Sequence, residues 1–199
     1  MKNKINSNKA NSVREKLIWS VLTPQFVLLI ISIAWINISP SDNVFKYFIF
    51  NFKLLIEGIG IGFALAVAGY LFYLFTKKTK RFPETVELFE QMLAPTFSNF
   101  KVFDLISLSL ISGFCEEIFF RGLMLSTFGI VIASIAFGLL HLPGKKFWIY
   151  AIWATGSGFI LGWLFLISGS LWLPITAHAV NNILGMFMLK TIKVPSKDF

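Results

Sequence analysis

The chain has 199 residues, 56% of them hydrophobic and 14% charged, with a mean hydropathy of +0.73; soluble domains carry about 25% charged residues, so intrinsic disorder and a surface turned mainly to water are excluded. Cys115 is the single cysteine, which excludes a disulfide scaffold. The net charge is +8, from 18 Lys and Arg against 10 Asp and Glu, and in a chain this apolar the excess belongs to loops on the cytoplasmic side of a membrane, not to a nucleic-acid face.

Residues 1–16 form a polar, basic start with Lys2, Lys4, Lys9, Arg14 and Lys16. The run 17–38 carries no charge and is long enough for a first membrane helix, which needs about 20 residues; Pro24 is a place for it to bend. A polar turn over 39–43 contains Pro40. The second span covers 54–75, with Glu57 near its start and Gly58, Gly60, Gly62 and Gly69 along it. Small residues of this kind let a neighbouring helix approach closely. Lys77, Lys78, Lys80 and Arg81 precede Pro83, and 84–95 is an amphipathic stretch expected in a loop or at the interface.

The third span begins near Val102 and carries Glu116, Glu117 and Arg121. The fourth ends at His141, before Pro143 and Gly144. The fifth runs from 147 to about 167, a tight turn follows at 168–170, and the sixth runs from 171 to about 189 with His178, Asn181 and Asn182. The fold expected is therefore all-α, a polytopic integral membrane helical bundle of about six transmembrane helices. Six spans put both ends on one side, and fifteen of the eighteen Lys and Arg fall there; Lys46, Lys53 and Arg121 do not. The positive-inside rule then places both termini in the cytoplasm. The organisation expected is a basic N-terminus over 1–16, two helices and a basic, amphipathic loop over 17–101, a core over 102–190, and a tail over 191–199.

Charged groups inside a bilayer are costly, roughly 2.5–3.5 kcal/mol each at the centre on insertion scales, and so are functional candidates. Glu117 and Arg121 are four residues apart and share a helix face, where they can pair. Glu116 is turned about 100° away and is left to face a cavity, unless both carboxylates simply neutralise Arg121. Phe137 and His141 share a face, although His141 could equally reach interfacial water. His178 and Asn182 also share one, although interhelical hydrogen bonding would explain them as well.

Depth is the test. At 1.5 Å per residue, Glu116 and His141 reach one level only if the intervening turn falls near 128–129, where Gly129 is a suitable turn residue. Each then lies about 18 Å from the turn, His178 about 12 Å and Asn182 about 18 Å from theirs, so all four can meet. A turn at Met124 would offset the first two by about 10 Å. A carboxylate and a histidine sharing a water can make it a nucleophile, and a second histidine with an amide can stabilise an oxyanion. Two His and one Glu would also suffice for zinc with water as fourth ligand, but the HExxH spacing is absent. No cofactor is firmly expected; a divalent metal on Glu116, His141 and His178 is the alternative. Cys115 reads as a small buried hydrophobe.

The three clusters, Glu116-Glu117…Arg121, Phe137…His141 and His178…Asn182, match in order the EExxxR, FxxxH and HxxxN pattern of the CPBP family of membrane proteins, the type II CAAX protease, bacteriocin-processing or Abi family, which the chain resembles over about 102–190. The resemblance implies that 102–190 is a four-helix catalytic core of an intramembrane endopeptidase, glutamate-dependent or metalloprotease-like. It implies Glu116 as base with His141 as partner, His178 and Asn182 as the oxyanion group, and Glu117, Arg121 and Phe137 as supports. Family substrates are prenylated or leader-type peptides, and bacterial members are linked to bacteriocin self-immunity. A non-catalytic membrane scaffold or immunity protein of the same fold is the alternative function. The partners expected are the lipid bilayer and a peptide or protein substrate, with no nucleic acid; the Asn- and Lys-rich start points to a bacterial plasma membrane.

Overall fold

The computed structural model describes residues 2–39 and 43–192, which leaves Pro40, Lys193 and Lys197 outside the described residues. Helix α1 is Lys2–Ile38 and α2 is Phe52–Thr79. A helix over 83–98, α3, is α-helical at Pro83–Glu87, π-helical at Leu88–Leu93 and α-helical at Ala94–Ser98. Helix α4 covers 102–128, beginning as Val102–Glu117 and continuing through a π-helical stretch, Ile118–Leu125. Within Ser126–Leu140, Gly129 has φ +82° and ψ 169° and divides α4 from α5, 130–140. Helices α6, Trp148–Ser168, and α7, Trp172–Thr191, complete the chain. There is no strand among the described residues.

The result is an all-α membrane bundle. Four segments are long and apolar enough to cross a membrane: Asn11–Ile38, Phe52–Thr79, Val102–Leu140 and Lys145–Ser168. The third contains the break at Gly129 and so supplies two helices. Helix α7 has 20 residues, a span's length, but His178, Asn181, Asn182 and Lys190 make it more polar.

Two expectations shift in detail. The basic start is continuous with the first span, because α1 is helical from Lys2 and Pro24 lies inside it. The amphipathic stretch near 84–95 is a helix packed on the bundle, with Leu88 and Ala94 buried.

Helix α7 lies at the centre. Small residues bring its neighbours in: a Cβ on Gly62 would sit 2.5 Å from the Ala177 carbonyl oxygen, and one on Gly58 2.7 Å from Thr176 Cβ. These contacts make the α2–α7 interface the most extensive in the molecule. On its other side, a Cβ on Gly113 of α4 would sit 3.1 Å from the Ala179 backbone nitrogen. Gly60 meets nothing within 4 Å and Gly69 only touches Trp153, so two of the four α2 glycines give the close approach.

The two ends of the bundle differ. At one, Ser170 Oγ donates to the Ile49 carbonyl and the Leu171 N–H to Tyr47. At the other, basic groups make the ties: Arg14 with Asp104 at 2.5 Å, Lys77 with Glu90 at 2.7 Å, Lys146 with Glu87 at 2.6 Å, and Lys190 Nζ with the Phe100 carbonyl.

Candidate functional site

The break at Gly129 decides the site. Its positive φ is open to glycine at little cost, and it folds α5 back beside α4 at the residue that equal depth requires. Gly138 and Gly158 then let α5 and α6 pack closely, against Thr155 and Ser134 respectively. Glu116 from α4, Phe137 and His141 from the end of α5, and His178 and Asn182 from α7 line one cavity of about 370 Å³, with Glu117 bonded to His178 behind them.

The supporting half is tightly partnered. Arg121 Nη1 donates to Glu117 Oε1 at 2.6 Å and Nη2 to the Gly158 carbonyl of α6 at 3.0 Å. Both side chains are sealed from solvent, Arg121 at 1% and Glu117 at 0% exposure. Glu117 Oε1 also meets His178 Nδ1 at 2.7 Å. Phe137 lies under the guanidinium, 4.6 Å from its ring centroid, and packs on the His141 and His178 rings at 4.4 and 5.7 Å. One ion pair thus ties α4, α6 and α7 and sets the His178 ring.

The other half is open. Glu116 Oε2 is buried with no hydrogen-bond partner. His141 Nε2 lies 3.7 Å from it and His178 Nε2 3.9 Å, both beyond a direct bond. The far nitrogen of each ring is committed: His141 Nδ1 lies 2.8 Å from the Phe137 carbonyl, and His178 Nδ1 meets Glu117. A carbonyl or a paired carboxylate only accepts, so each Nδ1 carries the hydrogen, an assignment made from its partner. In the neutral rings, two imidazole lone pairs and a carboxylate oxygen therefore face one another. Such a cluster of acceptors is stable only around something that supplies hydrogen or positive charge.

Asn182 lines the same cavity, and its Nδ2 donates to Ser112 Oγ at 3.1 Å, which uses one of two amide hydrogens. Asn181, one position from the His178–Asn182 face, lines it too and donates to Asn182 Oδ1 at 3.3 Å. Cys115 is buried. Among the described residues no group of three or more His, Cys, Asp or Glu is placed to hold a metal ion.

Two polar residues escaped the sequence reading. Ser112 lies one turn before Glu116 and buttresses Asn182. Gln25, on α1, donates from Nε2 to Glu116 Oε1 at 2.8 Å and is 7% exposed. An amide in the middle of an uncharged span was the available signal.

Away from this centre the cavity wall is aromatic and aliphatic, with Tyr73, Phe89, Phe97, Tyr150, Trp153 and Leu189. Phe89 and Phe97 come from α3, so the amphipathic helix closes part of the wall. It is held there by Glu90, which accepts from Tyr73 Oη and Lys77 Nζ, both at 2.7 Å. Burial pushes the Glu90 carboxyl up, but the bonds from Lys77 and Tyr73 outweigh it and hold the group below its ordinary value.

Residues 98–184 match the family described as type II CAAX prenyl endopeptidase Rce1-like. A stretch of 84 residues is 34% identical to the uncharacterized protein YpbD of Bacillus subtilis (strain 168), covering 42% of this chain and 44% of that protein, so less than half of the relative's length is spanned. No solved structure matches the chain.

Proposed function

We propose that this membrane protein, whose residues 98–184 carry a domain of the Rce1-like CAAX endopeptidase family, is an intramembrane endopeptidase that hydrolyses peptide bonds of membrane-associated, prenylated or leader-type peptides. One observation carries the reading: Glu116 Oε2, buried and unpartnered, faces His141 Nε2 and His178 Nε2 at 3.7 and 3.9 Å across a cavity. That gap suits a water molecule that donates to Glu116 and His141.

In the proposed reaction, the water oxygen attacks the scissile carbonyl carbon as Glu116 Oε2 takes its proton, with His141 Nε2 accepting the second O–H and fixing its direction. The carbonyl becomes an oxyanion, which accepts from the free N–H of Asn182 and from His178 Nε2–H. His178 donates from Nε2 only as imidazolium, and Glu117 and Glu116 flank that cation on either side. Collapse of the intermediate breaks the C–N bond, and the proton on Glu116 passes to the leaving nitrogen.

No step is routed through a metal. Tetrahedral zinc with ligand bonds of about 2.0–2.1 Å sets its ligand atoms about 3.3 Å apart, and the separations here are wider. The apolar, aromatic wall beyond the polar end favours a peptide with a hydrophobic segment or lipid chain. The basic end, where most Lys and Arg collect, is assigned to the cytoplasm, with both termini on that side.

The test is protein in liposomes with prenylated and unprenylated reporter peptides, with and without chelator. Wild type should cleave in both conditions, and Glu116→Gln should lose roughly 10²- to 10⁴-fold in rate. Cleavage retained by Glu116→Gln would overturn the reading. A biological effect that persists in that variant would point instead to the non-catalytic scaffold or immunity protein. Loss with chelator, restored by zinc, would assign the three acceptors to a metal.

A further inference from the structure

A carboxylate that is to act as a base through one oxygen must be held by the other. The terminal torsion of a glutamate is broad and nearly two-fold, so an untethered Glu116 would swing either oxygen, or neither, toward the imidazoles. Its neighbours on α4 do not restrain it: Glu117 and Arg121 are occupied with each other and with Gly158 and His178. The hydrogen bond that Glu116 Oε1 accepts comes from Gln25 Nε2, at 2.8 Å. Gln25 stands on α1, outside the segment 98–184 that matches the family.

The orientation of the amide follows from its partner. A carboxylate accepts, so the N–H side of Gln25 faces Glu116 and the carbonyl is left over; Gln25 Oε1 is buried with no partner. An unsatisfied amide oxygen in a span of mean hydropathy 2.1 is unfavourable. A helix needing only a tie to α4 would be better served by a leucine. Gln25 also lines the cavity beside Glu116, His141 and His178.

We propose that Gln25 is a positioning residue of the site, holding Glu116 Oε1 so that Oε2 alone is presented to His141, His178 and the reacting water. The inference rests on the hydrolytic reading above. It makes α1 part of the working site, because the matched segment alone leaves the Glu116 carboxylate free to turn.

The test uses full-length protein in liposomes. Gln25→Met keeps the side-chain volume and removes both the donor and the acceptor of the amide; Ser32→Ala, which alters a buried α1 contact two turns, about 10 Å, along the helix from Gln25, is the packing control. With a cleavable reporter peptide, Gln25→Met should lower kcat roughly 10- to 100-fold, the scale of a small misplacement of a reacting group, with KM within about threefold, while Ser32→Ala leaves both unchanged. Infrared difference spectra supply a readout that needs no turnover. The carboxylate stretch assigned to Glu116 by its absence in Glu116→Gln should shift in Gln25→Met and stay in place in Ser32→Ala. An unmoved band, or a wild-type kcat in Gln25→Met, would overturn the positioning role. Cleavage that survives Glu116→Gln would overturn the hydrolytic reading itself, whatever the Gln25 band does, so the two failures are distinguishable.

Discussion

Glu116 and Glu117 are adjacent on one helix, equally deep in the bundle, and live in opposite chemical conditions. Glu117 is closed to solvent with Arg121 at 2.6 Å and His178 at 2.7 Å on the same oxygen. Glu116 has one oxygen tied to Gln25 and the other facing two imidazole nitrogens across a gap too wide for direct bonds. Glu117 Oε2 is buried without a partner as well, but its other oxygen binds both Arg121 and His178, and a buried network so tied defines structure, because removing any member strands the others. A buried acceptor left open toward a cavity calls for a partner from within that cavity, such as a water molecule. On the proposed reading, one arginine is accompanied by two carboxylates because the first neutralises it and the second serves as the base.

Exchanging the roles experimentally gives the largest contrast. Glu116→Gln removes a proton acceptor and should cost roughly 10²- to 10⁴-fold in cleavage, with unfolding stability, measured by denaturation in detergent micelles, within about 1 kcal/mol of wild type. Arg121→Leu should do the reverse of that pattern on stability: it leaves Glu117 buried and unpaired, and losses of about 3–5 kcal/mol are typical of such a break. The double variant Glu117→Leu/Arg121→Leu should recover part of this loss, because no buried carboxylate is then stranded, although the His178 Nδ1–H and the Gly158 carbonyl lose their partners. If Arg121→Leu unfolds no more easily than Glu116→Gln, the division between a structural and a working carboxylate is wrong.

Phe137 stands between the two halves and should give an intermediate result. Its ring lies 4.6 Å from the Arg121 guanidinium and packs on both histidines. Phe137→Leu keeps much of the volume and loses the cation–π contact, so about 1–2 kcal/mol of stability should go. Catalysis should fall as well, through looser imidazoles. A variant with wild-type kcat would show that the rings are held by their Nδ1 bonds alone.

How much of this was legible in the sequence depends on the kind of signal. The i,i+4 spacing of Glu117 and Arg121 predicts their pair because it is local helix geometry. The turn at Gly129 was legible because equal depth demands a break there and glycine admits one. The π-helical stretch Ile118–Leu125 was not, since nothing in IFFRGLML distinguishes it from an α-helix by composition. Widening that turn redirects the residues beyond it, an effect that only packing reveals. Gln25 could not be linked to Glu116, 91 positions away, because which face of α1 meets α4 is settled by the whole bundle. The same limit applies to α3: its amphipathic pattern places it at an interface, whereas Phe89 and Phe97 reach the cavity wall.

Glu90 extends the comparison to a third carboxylate, at the basic end of the bundle, and there the expected effect is smallest. It accepts from Lys77 and Tyr73, which hold its carboxyl below the ordinary value despite the opposing effect of burial. A depressed value in the folded state means that the ionised form favours docking of α3. The contribution is therefore complete above the ordinary glutamate range, near 4.5, and is lost as pH falls below it through the folded value. Amide exchange over residues 83–98, corrected for intrinsic rates, should be slow at neutral pH and rise below about pH 4.5, while exchange in the Glu117–Arg121 region stays protected. Glu90→Gln should show the faster exchange at every pH and lose the pH dependence. Because Lys77 is more than half exposed, water screens this pair, and the change should stay confined to α3 instead of unfolding the bundle. A matching rise around Arg121 would mean that the cavity wall and the buried ion pair unfold as one unit, and the two environments would then be a single cooperative network.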